Sequence, residues 1–255
     1  MKIARILQGG KELYGKVEGD SLIPMVGDIF GSHSFSGDPI PLSGAEFMAP
    51  TTPKNIFCVG LNYKDHIEEM NRPTPAYPNV FMKPVNAIQS HNAPVMLPAK
   101  YATKVDYEAE FTVVIGKKTR HVDEKDALNY VLGYTCGNDV SCRNLQKPDN
   151  QWCLSKGFDT FAPIGPWIET DLDPLNVKVE MLVNGEIRQS TNTKYLLFNV
   201  PYLISYFSHI TTLNPGDVIL TGTSSGVGQI FDGDVMEVRI EGIGSLINPV
   251  KQEIL

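Results

Sequence analysis

Proline and glycine recur along the whole chain and limit the length that any regular element can reach. The 255 residues include 22 glycines and 18 prolines, which favour turns and interrupt helices. Short runs between them, such as KIARILQ (2–8) and LYGKVEG (13–19), have the character of strands. Because a regular strand–helix rhythm is missing, the sequence predicts a mixed, mainly β fold of the α+β class with few helices.

Three segments carry helix signals. Residues 63–71 form a short polar run of helical character. Asp123 is placed to cap a second helix that Gly133 would end, and Asn199 to cap a third helix with Pro201 in its first turn.

Prolines between residues 39 and 53 mark a candidate domain boundary at Thr52–Pro53. We therefore predict a small N-terminal β-subdomain over residues 1–52 and a larger second domain over residues 53–255.

The charge and cysteine content exclude several classes of protein. A net charge of −7 does not provide the basic surface that nucleic-acid binding requires. The four cysteines form no C-x-x-C pair, which favours reduced thiols in a cytoplasmic protein. The N-terminus has no apolar signal-peptide core, and the charge-free stretch Leu196–Leu213 is too polar to span a membrane.

The segment VDYEAEF (105–111) places acids at every second position. On a strand, Asp106, Glu108 and Glu110 would share one face. They could form the solvated side of a half-buried strand, which the heptapeptide alone favours, or they could bind a hard metal ion. Asp139, after GYTCGN, is a candidate third ligand, although an Asn–Asp pair in a loop is also a common turn.

Three other segments contain candidate catalytic groups. In GLNYKDHIEEM (60–70), Glu69 lies one helical turn after His66 and could orient its ring, but the spacing alone favours an exposed polar helix. Lys156, in LSKGFDTF, is either a surface charge or a buried cation for an anionic substrate. The segment TGTSSGVG (221–228) lacks the lysine of a phosphate-binding loop, so we reject nucleotide binding; its amides and Thr223 could hold another anion or form a simple turn.

These segments together resemble the fumarylacetoacetate hydrolase family, specifically its acylpyruvase-like and 2-hydroxyhepta-2,4-diene-1,7-dioate isomerase-like members. The resemblance rests on CVGLNYKDHIEEM, FMKP, VDYEAEFTVVIGK, GYTCGNDVSCRNLQ, SKGFDTFAPIGP and LTGTSSGVG. It implies the mixed β fold of that family, a homodimer, and Mg²⁺ or Mn²⁺ as cofactor.

The resemblance also implies a role for individual residues. Glu108, Glu110 and Asp139 match metal ligands, and Lys156 matches a lysine beside the metal. His66 and Glu69 match a dyad that activates water on a segment that closes over the site. The residues assigned to substrate binding are Arg143, Gln146, Thr223 and, from FMKP, Lys83. Asp106 matches no ligand, so Asp106→Asn is predicted to affect metal affinity mildly and Glu110→Gln severely.

Two departures concern the substrate rather than the metal. Similar proteins have proline where Ser224 stands, and Val85 and Asn86 follow FMKP where serine or threonine is common.

The first hypothesis for the function is hydrolysis of a C–C bond in a 2-oxo or 2,4-dioxo acid. The second is decarboxylation of an oxaloacetate-like acid or isomerisation of a hydroxy-dienoate from aromatic catabolism on the same metal site. The third is a non-catalytic metal-binding protein.

Overall fold

The computed structural model describes residues 1–147 and 151–254, and these residues form a mainly β structure, as the sequence predicts. The described N-terminal region contains the strands β1 (Lys2–Gln8), β2 (Lys11–Glu18), β3 (Ser21–Gly27), β4 (His33–Phe35), β5 (Ile40–Pro41) and β6 (Glu46–Phe47). The described remainder contains β7 (Ile56–Gly60), β8 (Asn79–Lys83), β9 (Ile88–Gln89), β10 (Val95–Leu97), β11 (Val105–Tyr107), β12 (Ala109–Ile115), β13 (Val131–Asn138), β14 (Ser141–Cys142), β15 (Ala162–Glu169), β16 (Lys178–Val183), β17 (Glu186–Asn192), β18 (Val218–Leu220), β19 (Gly228–Gln229), β20 (Val235–Ile240) and β21 (Gly244–Gln252).

The helices are short. The α-helices in the described residues are α1 (Lys64–Glu69), α2 (Arg143–Gln146), α3 (Cys153–Lys156) and α4 (Val200–Ile210), and the 3₁₀ turns are Val85–Ala87, Glu124–Tyr130 and Thr193–Tyr195. The Asn199 cap of α4 is confirmed, because its side chain accepts a hydrogen bond from the Tyr202 amide at 3.0 Å.

The helix predicted after Asp123 is wrong in type and in length. The segment is a 3₁₀ turn without a side-chain cap, and β13 begins at Val131. Gly133 lies inside that strand, where a Cβ atom would come within 2.4 Å of the Glu169 carbonyl oxygen. The glycine is therefore required by close strand packing and does not mark a helix end.

Three sheets make up the described structure. The largest follows the order β4-β3-β2-β1-β15-β13-β12-β18-β7-β8, the second β10-β21-β20-β16-β17, and the third β14-β11-β19. The main core contains Phe111 and Val113 of the first sheet together with Met181 and Val238 of the second. The N-terminal strands continue the largest sheet, because β1 pairs with β15, and the boundary at residue 52 stays a prediction.

The acidic segment passes from one sheet to another. β11 belongs to the third sheet and β12 to the largest, and the strand is interrupted at Glu108. Asn138 and Asp139 satisfy the Glu108 backbone there: the Asn138 side-chain oxygen accepts from its amide at 3.0 Å, and the Asp139 amide donates to its carbonyl at 2.9 Å. Because residues 105–111 are all buried, this is not a half-buried strand with a solvated face.

Candidate metal centre and active site

Three buried carboxylates converge at the end of the paired strands β12 and β13. Glu110 lies in β12 opposite Gly137, Glu108 directly precedes β12, and Asp139 directly follows β13. One oxygen atom of each lies within 4.8 Å of the others. The structure thus brings the three predicted metal ligands together, and we call Glu108, Glu110 and Asp139 the carboxylate cluster.

Two buried lysines neutralise part of this charge. The Lys156 Nζ atom donates to Glu108 Oε2 at 3.0 Å and to Asp139 Oδ2 at 2.5 Å. Lys83 donates to the other oxygen of Asp139, and to the carbonyl oxygens of Val140 at 3.1 Å and Phe161 at 2.6 Å. All three protons of the Lys83 ammonium group are therefore used inside the protein.

Lys83 does not occupy the place predicted for a substrate-binding residue. Its side chain is fully buried and lies outside the cavity described below. It donates a hydrogen bond to Asp139 and thereby holds that carboxylate in place.

The members of the carboxylate cluster differ in how well their charge is compensated. Burial raises the pKa of Glu110 well above its usual range, and the Asp139 and Glu108 carboxylates raise it further. Burial also acts to raise the pKa of Glu108, but the positive charges of Lys156 and Arg143 outweigh it and hold this pKa below its usual range. Glu110 is left without comparable compensation. A divalent cation would supply it, and carboxylate oxygens suit Mg²⁺ or Mn²⁺, so these residues fit such an ion.

Arg143 spans the edge of the carboxylate cluster. Its Nε atom donates to Asp106 Oδ2 at 2.8 Å, Nη2 to Glu108 Oε1 at 2.6 Å and Nη1 to Gln146 Oε1 at 3.0 Å. Asp106, which the sequence left without a role, thus fixes the orientation of a predicted substrate-binding arginine. The second oxygen of Asp106 is buried and has no hydrogen-bond partner among the described residues.

The predicted dyad forms on α1. The His66 Nδ1 atom lies 3.1 Å from Glu69 Oε2, and Glu69 Oε1 accepts from the Gly226 amide at 2.9 Å. With Nδ1–H donating to the carboxylate, the other ring nitrogen keeps its lone pair and can accept a proton. Asp65 Oδ2 also accepts from the Ser225 hydroxyl at 2.9 Å, so α1 is attached to the glycine-rich loop at two points.

The glycine-rich loop completes the site from the other side. The Gly222 amide donates to Glu110 Oε2 at 2.7 Å. The Thr223 hydroxyl donates to the Ala109 carbonyl oxygen at 2.9 Å and accepts from Gln189 Nε2 at 2.7 Å. Gln189 was not anticipated from the sequence, because it comes from β17 and no motif precedes it.

One cavity of about 1120 Å³ connects these groups. Its lining includes, of the predicted residues, His66, Glu69, Glu108, Glu110, Arg143, Gln146, Lys156 and Thr223. The cluster residue Asp139 is fully buried behind this surface. The arrangement can hold a metal ion at the inner end of the cavity and offer a base close to it.

Two aromatic rings near Lys156 were also missed from the sequence. The Lys156 Nζ atom lies 4.7 Å from the centroid of the Phe81 ring and 6.0 Å from that of Trp152. The contact with Phe81 could not be predicted from the sequence, because it depends on β8 lying beside α3 in the fold.

Comparison with known proteins agrees with this geometry. Residues 55–251 match the family model described as "Fumarylacetoacetate (FAA) hydrolase C-terminal", and residues 1–50 match "Rv2993c-like, N-terminal". The chain therefore belongs to the fumarylacetoacetate hydrolase family.

Three relatives indicate the range of that family. The rat protein described as mitochondrial oxaloacetate tautomerase is 43% identical over 223 residues, which cover 83% of this chain and 71% of the rat protein. The Mycobacterium smegmatis structure described as 5-carboxymethyl-2-hydroxymuconate delta-isomerase is 41% identical, with a TM-score of 0.93, covering 99% of this chain and 100% of that one. Maleylpyruvate hydrolase from Sphingobium sp. SYK-6, solved with manganese(II) and pyruvate, is 29% identical, with a TM-score of 0.83 and complete coverage of both chains.

These relatives bear enzyme names from different reaction classes, and one of them holds manganese. Family membership therefore indicates an enzyme fold with a metal-compatible acidic site, without choosing the reaction. In the part of the chain that is described, no helix has the length and apolar character needed to cross a membrane.

Proposed function

We propose that this protein hydrolyses a C–C bond of a 2-oxo or 2,4-dioxo acid, such as an acylpyruvate, with Mg²⁺ or Mn²⁺ as cofactor. The observation that carries the proposal is that the His66–Glu69 dyad lines the same cavity as Glu108 and Glu110 of the carboxylate cluster. The carboxylate cluster alone would suit a metal-storage site or a structural metal site. A buried imidazole whose ring is oriented by a carboxylate adds a base for proton transfer.

The chain's own residues would hold both the cofactor and the substrate. Glu108, Glu110 and Asp139 would bind the divalent ion, which supplies Lewis-acid stabilisation to a 2-oxo acid. Arg143 presents a guanidinium group to the cavity and would pair with the substrate carboxylate. Lys156 is fixed beside Glu108 and Asp139, where its charge would stabilise negative charge that develops on the substrate.

His66 would generate the attacking group. The free ring nitrogen takes a proton from water while Glu69 stabilises the resulting imidazolium. The water oxygen adds to the distal carbonyl carbon, the adjacent C–C bond breaks, and its electron pair passes to the methylene carbon of the departing pyruvate unit. Protonation of that carbon gives pyruvate and a carboxylic acid, so atoms and charge balance.

Product analysis with acetylpyruvate tests this proposal. Purified protein with Mn²⁺ should form pyruvate and acetate in equal amounts, and His66→Ala should reduce the rate by roughly 10²–10⁴-fold. His209→Ala is a matched control, because His209 is exposed and bonds a backbone carbonyl on α4. A rate for His66→Ala equal to that of His209→Ala would remove the dyad from the mechanism.

Proton transfer without hydrolysis is the second candidate, and the 43% identity to a protein described as oxaloacetate tautomerase favours it. The same imidazole can move a proton between carbon and oxygen of a 2-oxo acid, which would give tautomerisation or isomerisation. Decarboxylation of an oxaloacetate-like acid also needs no attacking water.

Oxaloacetate separates these reactions. Tautomerisation would change the ultraviolet absorbance of the enol form with no loss of total oxaloacetate, whereas decarboxylation would release CO₂ and pyruvate. If either rate exceeds acetylpyruvate hydrolysis, that reaction replaces hydrolysis as the function. If metal binds and a broad panel of oxo acids gives no turnover, the non-catalytic alternative is correct.

The homodimer and the cytoplasmic location expected from the sequence are also proposals. Light scattering during size-exclusion chromatography should give twice the chain mass of 28.2 kDa. Two relatives are described as mitochondrial, so the location has to be measured directly.

A further inference from the structure

Gln189 is a buried polar residue that belongs to none of the motifs singled out in the sequence. It lies in β17, the edge strand of the second sheet, and the three residues before it are exposed. In the pairing of β17 with β16, Arg188 has no residue opposite it and is the extra residue of a β-bulge. Bulges redirect the side chains beside them, and the Gln189 side chain here turns inward, so that the residue is only 2% exposed.

All the polar groups of the Gln189 side chain are used. Its Oε1 atom accepts from the Ala109 amide at 2.9 Å, and its Nε2 atom donates to Thr223 Oγ1 at 2.7 Å and to the Ser224 carbonyl oxygen at 2.9 Å. A backbone amide only donates and a backbone carbonyl only accepts, so the reversed side-chain amide would lose these bonds. Gln189 therefore joins the backbone of Ala109, which lies between two residues of the carboxylate cluster, to the glycine-rich loop (221–228).

The glycine-rich loop carries this connection on to the dyad helix. The next two residues, Ser225 through its hydroxyl and Gly226 through its amide, each donate at 2.9 Å to a carboxylate of α1, Asp65 and Glu69 respectively. Gly226 has a φ of +92°, and a Cβ atom there would lie 2.3 Å from the Arg188 carbonyl oxygen. This part of the loop therefore lies directly against the bulge in β17.

Gln189 does not line the cavity, and its bonds reach the carboxylate cluster only through the backbone of Ala109. We propose that Gln189 is a positioning residue: it holds the glycine-rich loop, and through that loop the dyad helix α1, in a fixed place relative to the carboxylate cluster. Its effect on turnover rests on the proposed function, whereas its hold on the loop does not. Loss of Gln189 should release residues 224–226 and leave the bond between Gly222 and Glu110 in place.

Amide hydrogen exchange tests the hold on the loop without reference to any reaction. Gln189→Met keeps a side chain of similar length and removes the acceptor and both donors. The Ser225 and Gly226 amides, which are bonded to side chains of α1, should exchange about tenfold faster in this variant. The Gly222 amide, which is bonded directly to Glu110, should exchange within about twofold of wild type. General destabilisation of the fold would accelerate all three amides equally.

Gln189→Glu keeps the test decisive if Gln189→Met fails to fold. The glutamate retains an acceptor for the Ala109 amide, but in either protonation state it cannot donate to both loop acceptors as the amide does. It should therefore show the same selective acceleration. Gln252→Met is the control, because Gln252 is exposed and its side chain bonds the Leu97 carbonyl oxygen outside the cavity.

A double-variant cycle tests whether Gln189 acts through the dyad. With acetylpyruvate and saturating Mn²⁺, Gln189→Met should lower kcat by about 10–100-fold, the range typical of groups that orient a site from outside it. In the His66→Ala background, Gln189→Met should lower the rate further by less than about twofold, because the base that it positions is gone. Gln252→Met should match its parent protein in both backgrounds.

Unchanged exchange at Ser225 and Gly226, or an equal acceleration of the Gly222 amide, would overturn the positioning role. A loss of rate that is the same in the wild-type and His66→Ala backgrounds would overturn it as well. If the wild-type protein does not hydrolyse acetylpyruvate, the proposed function fails, and the exchange measurement still decides whether Gln189 holds the loop.

Discussion

The carboxylate cluster and the dyad helix α1 lie on the same cavity but are held in very different ways. The cluster is buried and is bonded to two lysines, an arginine and the Gly222 amide of the glycine-rich loop. Helix α1 has six residues, and the Glu69 side chain is 35% exposed. Its side chains Asp65 and Glu69 attach it to the glycine-rich loop. The difference indicates that the metal-binding cluster is held by dense buried charge pairing, whereas helix α1 is held against the glycine-rich loop by two hydrogen bonds at the surface.

If the carboxylate cluster and helix α1 act separately, the largest loss of activity is expected from a substitution in α1. His66→Ala should reduce turnover by about 10²–10⁴-fold, because the general base is lost. Manganese affinity should stay within about threefold of wild type, since His66 is not part of the carboxylate cluster. Parallel kinetics and metal titrations measure both quantities. A fall in metal affinity as large as the fall in turnover would mean that the two regions are not separable.

A substitution that removes a buried charge partner from the carboxylate cluster should lower the stability of the fold rather than affect substrate recognition. Lys83→Met removes a cation from the fully buried Asp139 and should lower the free energy of unfolding by about 3–5 kcal/mol. Urea denaturation measures this loss, with Lys117→Met, at an exposed position, as the control. A variant with wild-type stability and a raised KM would instead return Lys83 to the substrate-binding role predicted from the sequence.

The raised pKa of Glu110 makes metal binding sensitive to pH. Because burial and the neighbouring carboxylates favour the protonated form, a metal ion must displace a proton from Glu110. Manganese affinity should therefore rise with pH, by up to about tenfold per pH unit below that pKa, and level off above it. Calorimetry in buffers of different ionisation enthalpy should detect proton release on metal binding at pH values below that pKa, and the release should vanish at higher pH. Binding that is independent of buffer and pH would contradict this assignment.

The smallest effect is expected for Asp106, which bonds Arg143 at the edge of the carboxylate cluster. Asp106→Asn keeps the size of the side chain but weakens its hold on Arg143, so KM should rise about threefold to tenfold, with metal affinity changed by less than about threefold. Asp126→Asn, at an exposed site, is the control. A loss of metal affinity similar to that of a ligand substitution would place Asp106 in the metal site.

Some features of the fold and the site could be predicted from the sequence and others could not. The family resemblance carried by VDYEAEF and GYTCGNDVSCRNLQ identified Glu108, Glu110 and Asp139 as candidate ligands, although the alternation alone favoured a solvated strand face. The Asn199 cap followed from short-range capping rules. The interruption of the strand at Glu108 could not be predicted from the sequence, because it depends on Asn138 and Asp139 satisfying the Glu108 backbone across the sheet.

Contacts between residues far apart in the sequence also explain why Lys83 and Asp106 have partners that the sequence did not predict. Lys83 was assigned to substrate binding from the FMKP match, yet its three acceptors lie at least 56 residues further along the chain. Asp106 was left without a role because its partner Arg143 is 37 residues away. The alternation of VDYEAEF predicts which acids share a side, but burial and partners, which only the fold supplies, determine what each acid does.

The most direct test of the metal centre is a calorimetric titration of Mn²⁺ into the wild-type protein and into Glu110→Gln, with Glu124→Gln as an exposed control. Wild type and Glu124→Gln should bind one ion per chain with equal affinity, and Glu110→Gln should bind it at least about 100-fold more weakly, because a ligand matters at least as much as the groups that support it. Equal affinity in all three proteins would contradict the assignment of the carboxylate cluster as the metal site.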